Sequence, residues 1–245
     1  MQGFKSYTNY RKNRQQNSGI ASIIRFLVIA LVLLFLIQVF AFQTFIVHSD
    51  SMVPSFQPGE RYVSLVYGVK NPFSGHYLAA YRTPKRGDTA VVNPGYLKSE
   101  PPFFHNIDFI IRMISFQKLS LYYTREHISP SVLLRVVGIP GDVISIDGNT
   151  AYVVPTGGSK RISEFEASNI QYEIDPGALP EGWNADDPFG TAMEPVLLGE
   201  NEYFLLADNR LSVADCRYWG VLPKESFQSH ILFKFWPLFG GTFKK

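Results

Sequence analysis

From Phe26 to Val47 the chain is apolar and uncharged, with Gln38 and Gln43 the only strongly polar side chains. At about 1.5 Å per helical residue, a run of this length is enough to cross the hydrocarbon core of a bilayer. The residues before it are polar: 1–18 carry Lys5, Arg11, Lys12 and Arg14 and no acid. Together with Arg25 they put the nearby positive charge on the N-terminal side. That asymmetry predicts a cytoplasmic tail over 1–25, a single transmembrane helix over 26–47, and export of residues 48–245. A cleaved signal peptide is the competing reading, with Val39-Phe40-Ala41 as its cleavage site. The apolar run is too long for such a peptide's core, and the leading segment is long as well.

Beyond Val47 the apolar positions come in short runs. Arg61–Tyr67, Asp88–Val92, Leu133–Val137 and Tyr203–Leu206 are rich in β-branched or aromatic residues and are punctuated by Gly and Pro, which predicts strands. Val143–Val154 reads as a hairpin turning at Asp147-Gly148-Asn149. Ile107–Leu121 differs, with apolar residues at 107, 110, 111, 114 and 121 at helical spacing. It predicts a helix packed on the β core or resting on a membrane surface. Residues 157–193 are polar and rich in Gly, Pro and acids, which predicts a loop-rich excursion from the main sheet. Ile231–Phe239 is too short to span a bilayer and reads as a last core strand or an interfacial aromatic tail. The fold class that follows is an all-β exported domain on one N-terminal anchor, with a small loop-rich β excursion.

Composition changes this picture little. A length of 245 residues allows one or two domains with a real core, and a net charge of +2 gives no argument for a nucleic-acid partner. Aromatic residues make up 15%, with 20 Phe and 13 Tyr, which suits a β domain with a face at an interface and equally a Phe-rich core. Cys216 is the single cysteine, so folding needs no intramolecular disulfide.

Four blocks carry the candidate chemistry. Directly after the apolar run comes SDSMVPSF (Ser49–Phe56), a serine followed by Met-x-Pro at the foot of the anchor. KRGDTAVV (Lys85–Val92), RVVGIPGDVI (Arg135–Ile144) and ADNRLSVADCRYWGVLP (Ala207–Pro223) follow in that order. Together they resemble bacterial signal peptidase I, the membrane-bound serine endopeptidase of family S26 that removes signal peptides from exported preproteins. The resemblance runs from about Ser49 to Pro223. It implies a place in the bacterial inner membrane, single-pass, with the catalytic-type domain on the outer side. It implies no cofactor and no metal, and as partners signal peptides of preproteins, membrane lipid, and an active paralogue or export machinery.

By the same resemblance Ser51 is the nucleophile, and the Ser49 hydroxyl completes an oxyanion hole with the Ser51 backbone N–H. Met52, Val53 and Val136 line the substrate groove. Arg135, Asp142, Asp208, Asn209, Arg210, Asp215 and Arg217 support the site, with the Asp and Arg positions forming a structural salt-bridge network. The family activates its serine with a neutral lysine, which requires a buried and aimed amine. Here the lysine position holds Leu134, the position of the serine that aims it holds Val213, and Ala207 stands where the family has glycine. Arg135 stays protonated at any working pH and cannot replace that base. His48, His127 and Lys118 are isolated candidates, and Cys216 reads as a small buried residue. Two functions follow: a peptidase whose general base is not identified, and a catalytically weak or inactive homologue that binds preproteins or a partner enzyme. A self-cleaving repressor is a remote third, because that class carries a DNA-binding domain and no anchor.

Overall fold

The computed structural model describes residues 19–33, 42–70, 77–94, 111, 131–177, 192–212 and 214–237. Most of the Ile107–Leu121 stretch, Lys118, His127 and Val213 lie outside them. Residues 19–33 form one helix, α1. Among the described residues no helix is long and apolar enough to cross a membrane. The chain divides into two compact units, Met1–Phe42 and Gln43–Lys245.

The apolar run does not stay helical as far as Val47. Its last residues form strand β1, Phe42–Ile46, at one edge of the main sheet. The backbone there is held by the domain. Ser64 Oγ donates to the Gln43 carbonyl at 3.1 Å, and Val47 N–H donates to Glu60 O at 2.9 Å. Gln43 and the β-branched Thr44, Ile46 and Val47 give this end of the run a strand-compatible composition that overall hydropathy conceals.

The larger sheet has seven strands in the order β1-β2-β13-β5-β6-β11-β12. Here β2 is Arg61–Val66, β5 Thr89–Val92, β6 Val132–Gly138, β11 Glu202–Leu206, β12 Leu222–Pro223 and β13 Phe227–Trp236. The four predicted strand runs are therefore β2, β5, β6 and β11, and Ile231–Trp236 is the end of the long strand β13, where Ile231 is buried but Leu232, Phe233 and Trp236 are exposed. Strand β2 alternates between buried and half-buried residues, as a half-buried strand should. In β6 every residue after Val132 is buried, because β5 and β11 flank it and both faces are covered. This explains the unbroken Val-Leu-Leu-Arg-Val-Val sequence.

A second sheet has the order β10-β7-β8-β9, with β7 Val143–Asp147, β8 Thr150–Val154, β9 Ile162–Ser163 and β10 Met193–Leu197. The predicted hairpin is β7–β8, and its two central turn residues are Gly148 and Asn149, both at positive φ, 57° and 66°. A type I′ connection requires that geometry, and Gly and Asn tolerate it best. A small hairpin, β3 (Gly68–Lys70) with β4 (Tyr77–Ala80), completes the strands of the described residues.

Adjacent residues of β6 face different apolar clusters. Leu133 packs with Val47, Met52, Phe56, Tyr62, Val91 and Ile231. Leu134 joins the larger cluster that includes Ala90, Val136, Ile144, Phe204, Ala207, Cys216 and Phe227. Gly138, opposite Phe204, admits the second sheet to the first: a Cβ there would lie 2.7 Å from both Ile144 Cδ1 and Leu198 Cδ1. The turn from β6 into β7 is held by Asp142, fully buried. Its carboxylate accepts two bonds from Arg86, at 2.9 and 2.6 Å, and one each from the N–H groups of Ile139 and Thr156.

Cutting Asp142→Ala strands Arg86 and two backbone donors, so it should lower unfolding stability by about 3–5 kcal/mol in urea titrations of the full chain. A loss below about 1 kcal/mol would show that this carboxylate does not organise the turn.

Candidate active site

Residues 49–56 form a compact turn rather than an extended link. Val53 N–H donates to Asp50 O at 3.2 Å and Phe56 N–H to Met52 O at 2.8 Å. Met52 is fully buried and drops into the Leu133 cluster, Phe56 packs against Tyr62 with ring centroids 4.9 Å apart and planes tilted by 56°, and Val53 is half-buried. The apolar side chains thus nail the turn to the sheet. Ser51 is only 6% exposed. Among the described residues its hydroxyl has one side-chain hydrogen-bond partner, the Ser49 hydroxyl at 2.8 Å. Its carbonyl accepts from Asn209 N–H at 3.0 Å, and Asn209 Nδ2 donates to Asp50 O at 3.3 Å. The last block therefore holds the serine turn through its backbone.

The last block is in turn organised by charge. Asp208, buried, receives Arg135 in a two-pronged pair at 2.7 and 2.6 Å. Arg135, only 3% exposed, also donates to the Gly87 carbonyl at 3.0 Å and to Ser55 Oγ in the serine turn at 3.3 Å. Its remaining face is covered by the Tyr172 ring, 3.9 Å from the guanidinium carbon. Gly87 stands at φ +87°, and a Cβ on it would sit 2.1 Å from Ser168 Oγ. Only glycine lets residue 168 approach while aiming that carbonyl at Arg135.

Asp215 caps the short helix α3 (Cys216–Trp219; the four-residue α2, Glu164–Ala167, precedes it) by accepting from Arg217 N–H. It also takes the Ala207 N–H at 3.1 Å and the Arg217 guanidinium at 2.8 Å. Arg217 reaches on to the carbonyls of Arg210 and Ser212. The predicted supporting residues Arg135, Asp208, Asn209, Arg210, Asp215 and Arg217 thus come together around the serine turn. Asp142 does not join them: its partners are Arg86, Ile139 and Thr156, at the β6–β7 turn.

Leu134 and Val136 are fully buried in the larger cluster with Ala207 and Cys216. No ionisable side chain of the described residues bonds to Ser51 Oγ. The Cys216 thiol is pushed up to about 12, chiefly by burial, and its sulfur accepts from Leu205 N–H at 3.2 Å. It behaves as core, as its sequence setting suggests. His48 is exposed.

Sequence reasoning missed Glu164, Tyr172 and Asp175, all in the excursion. Glu164, on α2, is 1% exposed and accepts both 2.6 Å bonds from Arg210 Nη2, the Tyr172 hydroxyl at 2.7 Å and Ala151 N–H at 2.9 Å. Burial first, then the Glu164 charge, raises the Tyr172 phenol above its ordinary value, so it stays a neutral donor. Asp175 runs beside the last block as a parallel bridge to Asn209: its N–H donates to Asp208 O at 2.9 Å and its carbonyl accepts Arg210 N–H at 2.8 Å. The sequence carried no signal for them: Asp142, Asp208 and Asp215 balance Arg135, Arg210 and Arg217 in number, and the place beside Arg210 opens only because Asp142 pairs with Arg86 instead.

The family model for signal peptidase, peptidase S26, matches residues 20–236. Signal peptidase I of Buchnera aphidicola subsp. Baizongia pistaciae is 24% identical over 259 residues, covering 91% of this chain and 78% of that protein. Probable signal peptidase I-1 of Synechocystis is 24% identical over 229 residues, covering 91% and 89%. Signal peptidase I of Bacillus licheniformis is 24% identical over 227 residues, covering 92% and 94%. With a family match over nearly its whole length, four blocks in the family's order and a β domain that packs them together, the chain belongs to the signal peptidase family, peptidase S26.

Proposed function

We propose that this chain is a membrane-anchored signal peptidase I-type protein that binds the signal-peptide region of exported preproteins, with Ser51 as its nucleophile and very low turnover. The observation that carries it is the Ser49–Ser51 hydroxyl pair at 2.8 Å, on a turn bonded through its backbone to Asn209. In this reading Ser51 Oγ attacks the scissile carbonyl. The Ser51 N–H and Ser49 hydroxyl receive the developing oxyanion. Of the three expected groove residues only Val53 is part-exposed beside Ser51, while Met52 and Val136 are fully buried and back the site from the core. The exported domain acts on the outer face of the bacterial inner membrane.

The low turnover follows from Leu134. A serine hydroxyl hydrogen-bonded to another hydroxyl has no base to take its proton. Leu134 is fully buried among apolar neighbours that include Ala207 and Cys216, a setting that holds no amine. This favours a second reading, a catalytically silent relative that retains preproteins or a partner enzyme without cutting. Both readings share the same binding site and differ in the rate at Ser51.

The purified full chain should cleave a standard preprotein on the order of 10² to 10⁴-fold more slowly than a lysine-containing relative. Ser51→Ala should remove what remains. Efficient wild-type turnover abolished by Ser51→Ala would overturn the assignment and direct the search for a base to Lys118 and the histidines.

Restoring the base tests the cause. Leu134→Lys alone buries an unaimed amine and should remain poor. Combined with Val213→Ser, and with Ala207→Gly to make room, it should yield cleavage exceeding the sum of the single changes and vanishing again with Ser51→Ala. A folded, membrane-inserted triple variant that stays silent would refute the alignment at Leu134 or the groove.

Topology has its own check: a reporter fused after Val47 should be exported, and the mature chain should keep its N-terminus. A chain found by mass spectrometry to begin at Phe42 would remove the anchor.

A further inference from the structure

The excursion supplies residues whose contacts the serine turn does not make directly. Glu164 and Tyr172 are joined at 2.7 Å, and each holds one arginine of the site. Tyr172 covers Arg135, which reaches Asp208 and the Ser55 hydroxyl. Glu164 holds Arg210, next to the Asn209 whose N–H fixes the Ser51 carbonyl. Asp175 adds two backbone bonds along the same three residues, Asp208 to Arg210. Arg210 Nε and Nη1 are buried without partners, so Glu164 is what its guanidinium has among the described residues. Two cations and two carboxylates sit here out of water, with a neutral phenol linking them. Such a set is stable in one arrangement, because moving any member leaves a buried charge uncompensated.

From this linkage we infer that Glu164 and Tyr172 are positioning residues for Ser51. The pair clamps Arg135 and Arg210 so that Asp208–Arg210 presents a fixed N–H to the Ser51 carbonyl. Neither residue touches Ser51. Their effect passes through Arg135–Ser55 on one side and Asn209–Ser51 on the other. The inference rests on Ser51 as the reacting residue for its catalytic meaning, but the clamp itself is measurable without turnover.

Amide hydrogen exchange of the full chain in detergent micelles, followed by mass spectrometry, reads it directly. Tyr172→Leu removes the ring from Arg135 and the hydroxyl from Glu164. Exchange in peptides covering 51–56 and 209–211 should rise on the order of tenfold or more, while β13 (Phe227–Trp236) keeps its protection. Tyr172→Phe retains the ring and should restore most of the protection at 51–56. Glu164→Gln should loosen 209–211 more than 51–56. Unchanged exchange at both segments in a folded Tyr172→Leu protein would overturn the inference. So would a rise spread evenly through β13, which would make the pair a general stabiliser. If Tyr172→Leu does not fold, Tyr172→Phe and Glu164→Gln decide the matter by the same two segments. In the Leu134→Lys, Val213→Ser, Ala207→Gly background, Tyr172→Leu should lower kcat with KM little changed. A silent background with altered exchange refutes the proposed chemistry and leaves the clamp standing.

Discussion

Everything around the serine turn depends on one buried guanidinium. Taking Arg135 and Asp208 out of water costs several kcal/mol per ion, and their attraction offsets this only with good geometry and additional hydrogen bonds. The fold provides both by bringing a separate stretch of chain to each side of Arg135. Asp208 comes from the last block, the Gly87 carbonyl from the KRGD block, the Ser55 hydroxyl from the serine turn and the Tyr172 ring from the excursion. Four segments far apart in sequence are therefore constrained by the needs of one charge. This is why residues that do no chemistry are so specific in type: Gly87 for close approach, Asp208 for a two-pronged carboxylate.

The same strand shows how narrowly chemistry and packing are separated. In β6 three successive residues have three environments: Leu133 in the Met52 cluster, Leu134 in the larger cluster, Arg135 in the charge centre. The strand's alternation makes each position a commitment to one face. Leucine at 134 gains apolar burial where an amine would have had to be desolvated and aimed. The framework around Ser51 can persist under that exchange, because Arg135 and Asp208 draw nothing from position 134.

Much of this was legible in the sequence, and the limits have physical causes. The strands β2, β5, β6 and β11 and the Gly148-Asn149 hairpin follow from local composition and turn chemistry, which act over a few residues. Ser49, Ser51, Asp208 and Arg210 stood out because they lie in dense motifs. Glu164, Tyr172 and Asp175 did not, since each is an isolated polar residue whose meaning is a contact with another segment. The apolar run misled at its end for a related reason. Hydropathy measures transfer from water and does not distinguish a lipid-facing helix from β1, whose residues are half-buried or exposed along a sheet edge.

Cys216 gives the molecule a property unrelated to its reaction. With burial raising the thiol well above its ordinary value and the sulfur already accepting the Leu205 N–H, the native chain holds its cysteine as the neutral thiol at neutral pH. Oxidants and thiol-exchange partners react with thiolate, so the folded chain is inert to both, whereas a newly made or unfolded chain is not. The one sulfhydryl thus reports folding state: its reactivity is lost when β11 and α3 close over it and returns only when they part.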